Sequence, residues 1–133
     1  MTSNRSSVRR RKLGEPRAIP TRPGMTRRPF VGPEDGVGEL FVEELRFEPG
    51  AAIPLHHHPV VEAFVVLDGA LTVRLGEEVV VVEAEETVAI PSGTPHALTN
   101  GGSVPARALS AAPWDHDTFF ANATTYLEGV PRE

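Results

Sequence analysis

The sequence predicts an all-β fold of short antiparallel strands, and three observations carry that prediction. Runs of four to nine residues rich in Val, Leu, Phe, Ile and Thr recur at even spacing between residues 39 and 111. The runs are separated by Gly, Pro, Asn and Asp, the residues that punctuate strands. The longest β-branched run, Val79-Val80-Val81-Val82, is stiff at χ1 and suits a pleated surface. At 133 residues the chain makes one core.

Taken in order, Glu39 to Phe47 mixes Leu40, Phe41, Val42, Leu45 and Phe47 with charges and stops at Pro49-Gly50, a strand followed by a turn. Residues 50 to 62 otherwise look like strand, with Pro59 marking a bulge or an edge position. Ala63 to Leu67 is a strand, Asp68-Gly69 is a hairpin turn signal, and Leu71 to Leu75 returns. Gly76-Glu77-Glu78 turns into Val79 to Val82. Thr87 to Ile90 and His96 to Thr99 flank the turn Pro91-Ser-Gly-Thr-Pro95, Asn100-Gly101-Gly102 turns again, and Arg107 to Ala111 is a last strand. Beyond Pro113 the period changes. Phe119, Ala123 and Leu127 at helical spacing, with Asp115 or Asp117 as N-cap and Gly129 near the end, predict a short C-terminal helix. Trp114, Phe119, Phe120 and Tyr126 are expected to cover the barrel or a dimer contact, and His116 to lie on the surface.

The chemistry concentrates in Leu55-His56-His57-His58-Pro59-Val60-Val61-Glu62. Side chains alternate faces along a strand, so His56, His58 and Glu62, which share parity, aim two imidazoles and a carboxylate to one side, while His57 points away. Phe64 and Val66 continue that face as an apolar lining. A polar site at the mouth of an apolar cavity suits a small molecule. His96, after the second turn cluster, is the natural fourth ligand, and Leu98 shares its parity. A lone histidine in a strand is usually a satisfied or solvated one, so the weight rests on the four residues together.

Gly50, five residues, His56-x-His58, three residues, Glu62, six residues, Gly69 resembles the first motif of the cupin superfamily without a gap. Pro91-x-Gly93-x-x-His96-x-x-x-Asn100 resembles the second, except that its leading glycine falls at position 85, which is Glu85. That substitution leaves the metal site intact and puts the local backbone in question. The resemblance covers roughly residues 36 to 112 and is to small single-domain cupins. It implies an antiparallel jelly-roll barrel, a divalent metal held by His56, His58, Glu62 and His96, and a homodimer paired through its sheets. Iron or manganese is the preference it supports. The donor set itself also suits nickel, copper, cobalt or zinc, and leaves two positions of a six-coordinate shell for water, substrate or dioxygen.

Charge divides unevenly. Nine of the thirteen Lys and Arg residues precede residue 30, against the single acid Glu15, whereas the rest of the chain carries four basic residues and seventeen acids. With Pro16, Pro20, Pro23 and Pro29, residues 1–29 are expected to be a disordered Arg/Pro-rich arm ahead of a barrel domain at 30–133. A solvated tail is the first reading of that arm, or an untranslated one if Met25 is the start. Nucleic-acid binding is disfavoured by the acidic body and the lack of interleaved aromatics, and no apolar stretch follows the arginines as an export signal requires. The chain has no cysteine, which excludes disulfides, thiolate sites and thiol nucleophiles and fits a cytoplasmic protein. No stretch has the length and apolarity of a membrane helix.

Two functions fit these residues. One is a metal-dependent enzyme, dioxygenase-like or a related hydrolase or decarboxylase, acting on a small organic molecule lined by Phe41, Phe64, Val66, Ile90 and Leu98, with Glu62 as ligand or as base. The other is a non-catalytic binding or sensing module, since the lining offers few hydrogen-bonding groups. A metal-free epimerase or isomerase needs a His-Tyr or His-Lys pair, and the body has only Tyr126 and no lysine. Arg46 and Arg74 can each pair a substrate carboxylate or remain surface charges.

Overall fold

The structure is a computed structural model and describes residues 8–113 and 124–127. Its strands are β1 (Arg17–Ala18), β2 (Met25–Val31), β3 (Phe41–Phe47), β4 (Ala52–His57), β5 (Glu62–Asp68), β6 (Ala70–Leu75), β7 (Glu78–Glu83), β8 (Thr87–Ile90), β9 (His96–Thr99), β10 (Ala106–Ala112) and β11 (Thr125–Tyr126). They form two antiparallel sheets, one in the order β1-β2-β3-β10-β5-β8 and the other in the order β11-β4-β9-β6-β7. From β3 to β6 the chain changes sheet at each connection, as it does again from β7 to β10. This is the small jelly-roll barrel that the strand pattern and the paired motifs imply.

Alternation decides what fills the barrel. On β3 the buried side chains are Phe41, Glu43, Leu45 and Phe47, and on β10 they are Ala106, Ala108, Ser110 and Ala112. Phe47, Phe64, Leu71, Val73 and Leu98 form the centre of the core with Met25. Part of the outer face of the six-stranded sheet is also apolar, beside the Glu44, Arg107 and Asp68 ion pairs. Val42, Ala111, Ala63 and Ala89 pair in a row across it, and a groove of about 440 Å³ lined by Leu40, Val61, Ala63, Ala89, Ala111 and Pro113 runs along this face. On the other sheet, β7 is an edge strand with Val79, Val80 and Val81 exposed between Glu78 and Glu83. Among the described residues no helix is long and apolar enough to cross a membrane.

Three expectations need correction. Asp68-Gly69 is a corner between sheets and not a hairpin, because β5 pairs with β10 and β8 while β6 pairs with β7 and β9. Gly69 (φ 73°) permits the corner, since a Cβ there would stand 2.6 Å from the Pro105 carbonyl oxygen. Residues 17–29 are ordered into β1, the following turn and β2. Two apolar anchors, Ile19 and Met25, are in the core, β2 pairs with β3, and the buried Arg27 guanidinium donates to Glu43 at 2.5 Å. The acidic body also holds the basic segment, with Arg11 bridging Glu34 and Asp35 at 2.7 Å each. The expected C-terminal helix lies mostly outside the described residues, but Thr125 and Tyr126, a β-branched and an aromatic residue, pair with β4 as a strand.

Glu85 is the non-glycine residue with positive φ among those described, at 69°. The glycine that the second motif lacks is thus missing where the backbone still takes the glycine conformation. The Glu85 and Glu86 peptide groups exchange hydrogen bonds with Val66, which hold the turn in place. Left-handed geometry costs a side chain about 1 kcal/mol. Glu85→Gly is therefore expected to stabilise the protein by roughly that amount and raise Tm by a few degrees. Unchanged urea midpoints would show that the glutamate side chain compensates the strain.

Candidate metal centre

His56 enters the barrel from β4, one step after the ladder to β9 shifts register between Ile53 and His56. His58 follows the end of β4, and His96 opens β9 directly across from His56. The two motif loops are tied by the Gly93 N–H, which donates to the His58 carbonyl at 2.8 Å. The positive φ of Gly93, 75°, supplies the tight turn that makes this reach. His56, His58 and His96 are all buried, and their candidate donor atoms lie within 4.8 Å of one another. His57 faces the opposite way and is half-buried, as the alternation predicts.

Backbone carbonyls set the tautomers. Nδ1 of His56 donates to Pro54 O at 2.7 Å, Nδ1 of His96 to Thr94 O at 2.8 Å, and Nδ1 of His58 to Val60 O at 3.1 Å. A carbonyl oxygen only accepts, so each Nδ1 carries a proton and each Nε2 is the atom left for the site. Such an outer hydrogen bond is what orients a metal-ligating imidazole.

Glu62 comes from the other sheet. Its Oε1 lies 3.2 Å from His58 Nε2 and 3.3 Å from His96 Nε2, and its Oε2 accepts from Ser110 Oγ at 3.0 Å. With its proton on Nδ1, His96 has none on Nε2 to donate across this contact, and its Nε2 is a buried nitrogen without a hydrogen bond. Burial acts to raise the Glu62 pKa, yet the adjoining His58 and His96 imidazoles outweigh it and hold the group down at about 2. The carboxylate is therefore ionised among three imidazoles. Three nitrogen donors, one of them an orphaned buried atom, with a carboxylate beside them are a donor set that fits a divalent cation.

The remaining predicted residues fall inside the barrel. Phe64, Val66, Ile90 and Leu98 belong to the core, and Phe41 is buried on β3 above Glu43. Two polar neighbours are not expected here from the sequence, Ser110 and Tyr126, the latter predicted to cover the barrel or a dimer contact. Ser110 is the inward polar residue of an Ala-rich strand, and that parity was available as a signal. Tyr126 stands opposite His56 across β11 and β4, with ring centroids 5.4 Å apart, a pairing that no local pattern encodes.

Comparison with known proteins settles the family, because the cupin domain matches residues 43–112, more than half of the chain. The chain is a cupin. It is 31% identical over 87 residues to the tetracenomycin polyketide synthase protein TcmJ of Streptomyces glaucescens, a match covering 65% of this chain and 58% of that protein. The cupin barrel also superposes on the polyketide cyclase RemF of Streptomyces resistomycificus, with a TM-score of 0.70 at 24% identity over 84% of this chain and 78% of RemF. A recombinant oxalate oxidase in complex with glycolate gives 0.62 at 26% identity, covering 82% of this chain and 59% of the oxidase. With its buried three-histidine cluster, this cupin has the site of a metal-binding member of the family.

The site makes the metal-free protein acid-sensitive. Burial pushes His56 down to about 4 from 6.5, with repulsion from His96 adding to it. Between those values the unfolded chain binds a proton that the folded one refuses, so stability is full above about pH 6.5 and falls as the pH drops toward 4. The loss is on the order of 2–3 kcal/mol. Glu62 adds a loss of the same sign below its ordinary value. Urea unfolding of chelator-treated protein from pH 7 to pH 4.5 is expected to show this slope, and His56→Asn to flatten it. Parallel slopes for the two proteins would overturn the assignment.

Proposed function

We propose that this cupin is a metal-dependent enzyme acting on a small organic molecule that carries enolic, phenolic or carboxylate oxygens. The observation that carries the reading is the convergence of three buried, backbone-oriented imidazoles on an ionised carboxylate. A dioxygenase-like reaction is the first choice, and related hydrolysis or decarboxylation draws on the same centre. The relatives support this substrate class: one is a polyketide synthase protein and one solved neighbour is a polyketide cyclase, while an oxalate oxidase shares the barrel.

When bound, a divalent metal supplies Lewis-acid activation of oxygen ligands, and iron or manganese adds electron transfer. His56, His58 and His96 would hold it through Nε2, with Glu62 as the fourth ligand. Because Glu62 is held at about 2, it serves first as charge balance. To act as a base it must move away from His58 and His96, and the Ser110 hydroxyl on Oε2 is the contact that keeps it placed meanwhile. Phe41, Phe64, Val66 and Leu98 keep water from the inner side of the site. The scarcity of hydrogen-bonding groups among them also favours a second reading, a binding module that holds its ligand without turnover.

We place the protein in the cytoplasm, on its lack of cysteine, as a homodimer. The groove along the alanine row on the outer face of the six-stranded sheet is apolar and would admit a second copy.

Untagged protein is expected to carry about one metal ion per chain by plasma mass spectrometry, and the double variant His58→Ala/His96→Ala to carry none while keeping its β circular dichroism. Stoichiometric metal in the variant would refute the ligand assignment. Oxygen uptake with phenolic and oxo-acid substrates separates the two readings, since a metal-loaded protein that binds them but consumes nothing is the binding module. Light scattering is expected to give twice the 14.3 kDa chain mass, and Ala111→Arg to reduce it to one. A monomeric wild type would remove the dimer.

A further inference from the structure

Four residues line up across the five-stranded sheet. Tyr126 on β11 pairs with His56 on β4, His56 pairs with His96 on β9, and His96 pairs with Leu75 on β6. Residues directly opposite one another in a ladder share a face, so Tyr126 projects to the same side as the two imidazoles. The ring distances agree, with the His56 ring 4.2 Å from His96 on one side and 5.4 Å from Tyr126 on the other. A phenol thereby joins the ligand row. The strand that carries it is anchored by the Leu127 N–H, which donates to the Leu55 carbonyl at 3.3 Å, one residue before His56.

The other flank of Tyr126 is taken by a residue from the basic N-terminal segment. Arg22 is 3% exposed, and its guanidinium carbon lies 5.1 Å from the Tyr126 ring centroid. Its position is built by the turn between β1 and β2. There Ile19 and Met25 bond backbone to backbone, the Arg22 N–H donates to Ile19 O at 3.0 Å, and Arg22 O accepts from Met25 N at 3.1 Å. The guanidinium also donates to Thr21 O at 2.8 Å, which fixes its plane. A buried cation over a tyrosine ring is a specific and favourable contact, and it draws electron density from the phenol, making its hydroxyl a stronger donor.

We infer that Tyr126 recognises the substrate beside the metal centre, donating its hydroxyl to an anionic oxygen, and that Arg22 is the positioning residue that orients and polarises it. The substrate class is a small planar anion, an enolate, phenolate or aromatic carboxylate. The inference deepens the metal-enzyme reading and rests on it for the place of the substrate. It gives the arginine-rich segment a role in the site that charge content alone does not suggest.

Zinc, which is redox-silent, and salicylate, a planar anion with two oxygens, make the test independent of turnover. Calorimetric titration of salicylate into zinc-loaded protein is expected to show binding that Tyr126→Phe weakens about tenfold, as loss of a charged hydrogen bond does. Zinc stoichiometry and Tm should stay unchanged, because the ring is kept. Arg22→Gln should weaken binding about fivefold and Arg22→Lys should recover part of it. In the double variant Tyr126→Phe/Arg22→Gln the loss should equal that of Tyr126→Phe alone, since Arg22 acts through the phenol. Equal salicylate affinity in wild type and Tyr126→Phe, or no salicylate binding by zinc-loaded wild type, overturns the inference. A wild type that takes up no zinc overturns the metal reading instead, and titration of the metal-free protein then decides on Tyr126 by the same comparison.

Discussion

The structure around the site depends on three short hydrogen bonds from imidazole Nδ1 to carbonyls two residues away, at Pro54, Val60 and Thr94. Each is local in sequence, so each histidine is oriented by its own strand end and not by a remote partner. The consequence is electrostatic. Three proton-bearing Nδ1 atoms face outward to backbone and three Nε2 lone pairs face inward, an electron-rich cluster that calls for a cation. Glu62 adds its carboxylate from the opposite sheet, held by Ser110. The two sheets are joined at this point by chemistry as well as by packing.

That arrangement explains why the ligands were legible in the sequence. Strand alternation places His56 and His58 on one side. Glu62 joins them only because the chain crosses to β5 in the other sheet, so motif spacing and not parity marks it, and the spacing of Pro91, Gly93 and His96 encodes the turn that returns the last imidazole. Local geometry also accounts for the position of Glu85, where the motif's missing glycine coincides with a positive φ. What local patterns cannot carry is partnership between sheets. Asp68-Gly69 has the composition of a hairpin, yet whether the strands on either side pair is decided by β10 and Pro105, some forty residues downstream.

The N-terminal segment was misread for the same reason. Its composition is that of a disordered arm, with many charges and prolines. Its order comes from partners that composition does not count. Glu43 neutralises Arg27 inside the barrel, Glu34 and Asp35 hold Arg11 at the surface, and Ile19 and Met25 supply enough apolar burial to seat the turn between them. The uneven charge division of the chain is in this respect an internal complementarity, basic segment on acidic body. Tyr126 escaped through a different route, since a two-residue strand is too short to declare its period.

The exposed edge β7 carries a further consequence. Among the described residues its outer edge is unpaired and Val79, Val80 and Val81 face solvent, and what stands guard is glutamate, Glu77 and Glu78 at one end and Glu83, Glu85 and Glu86 at the other. A bulge or a proline protects an edge under all conditions, whereas charge protects it only while it is ionised and unscreened. The colloidal behaviour of this protein is therefore delegated to its medium. Concentrated, acidic or salty solutions weaken that protection, so the choice of buffer decides whether neighbouring molecules meet as strangers or as strands.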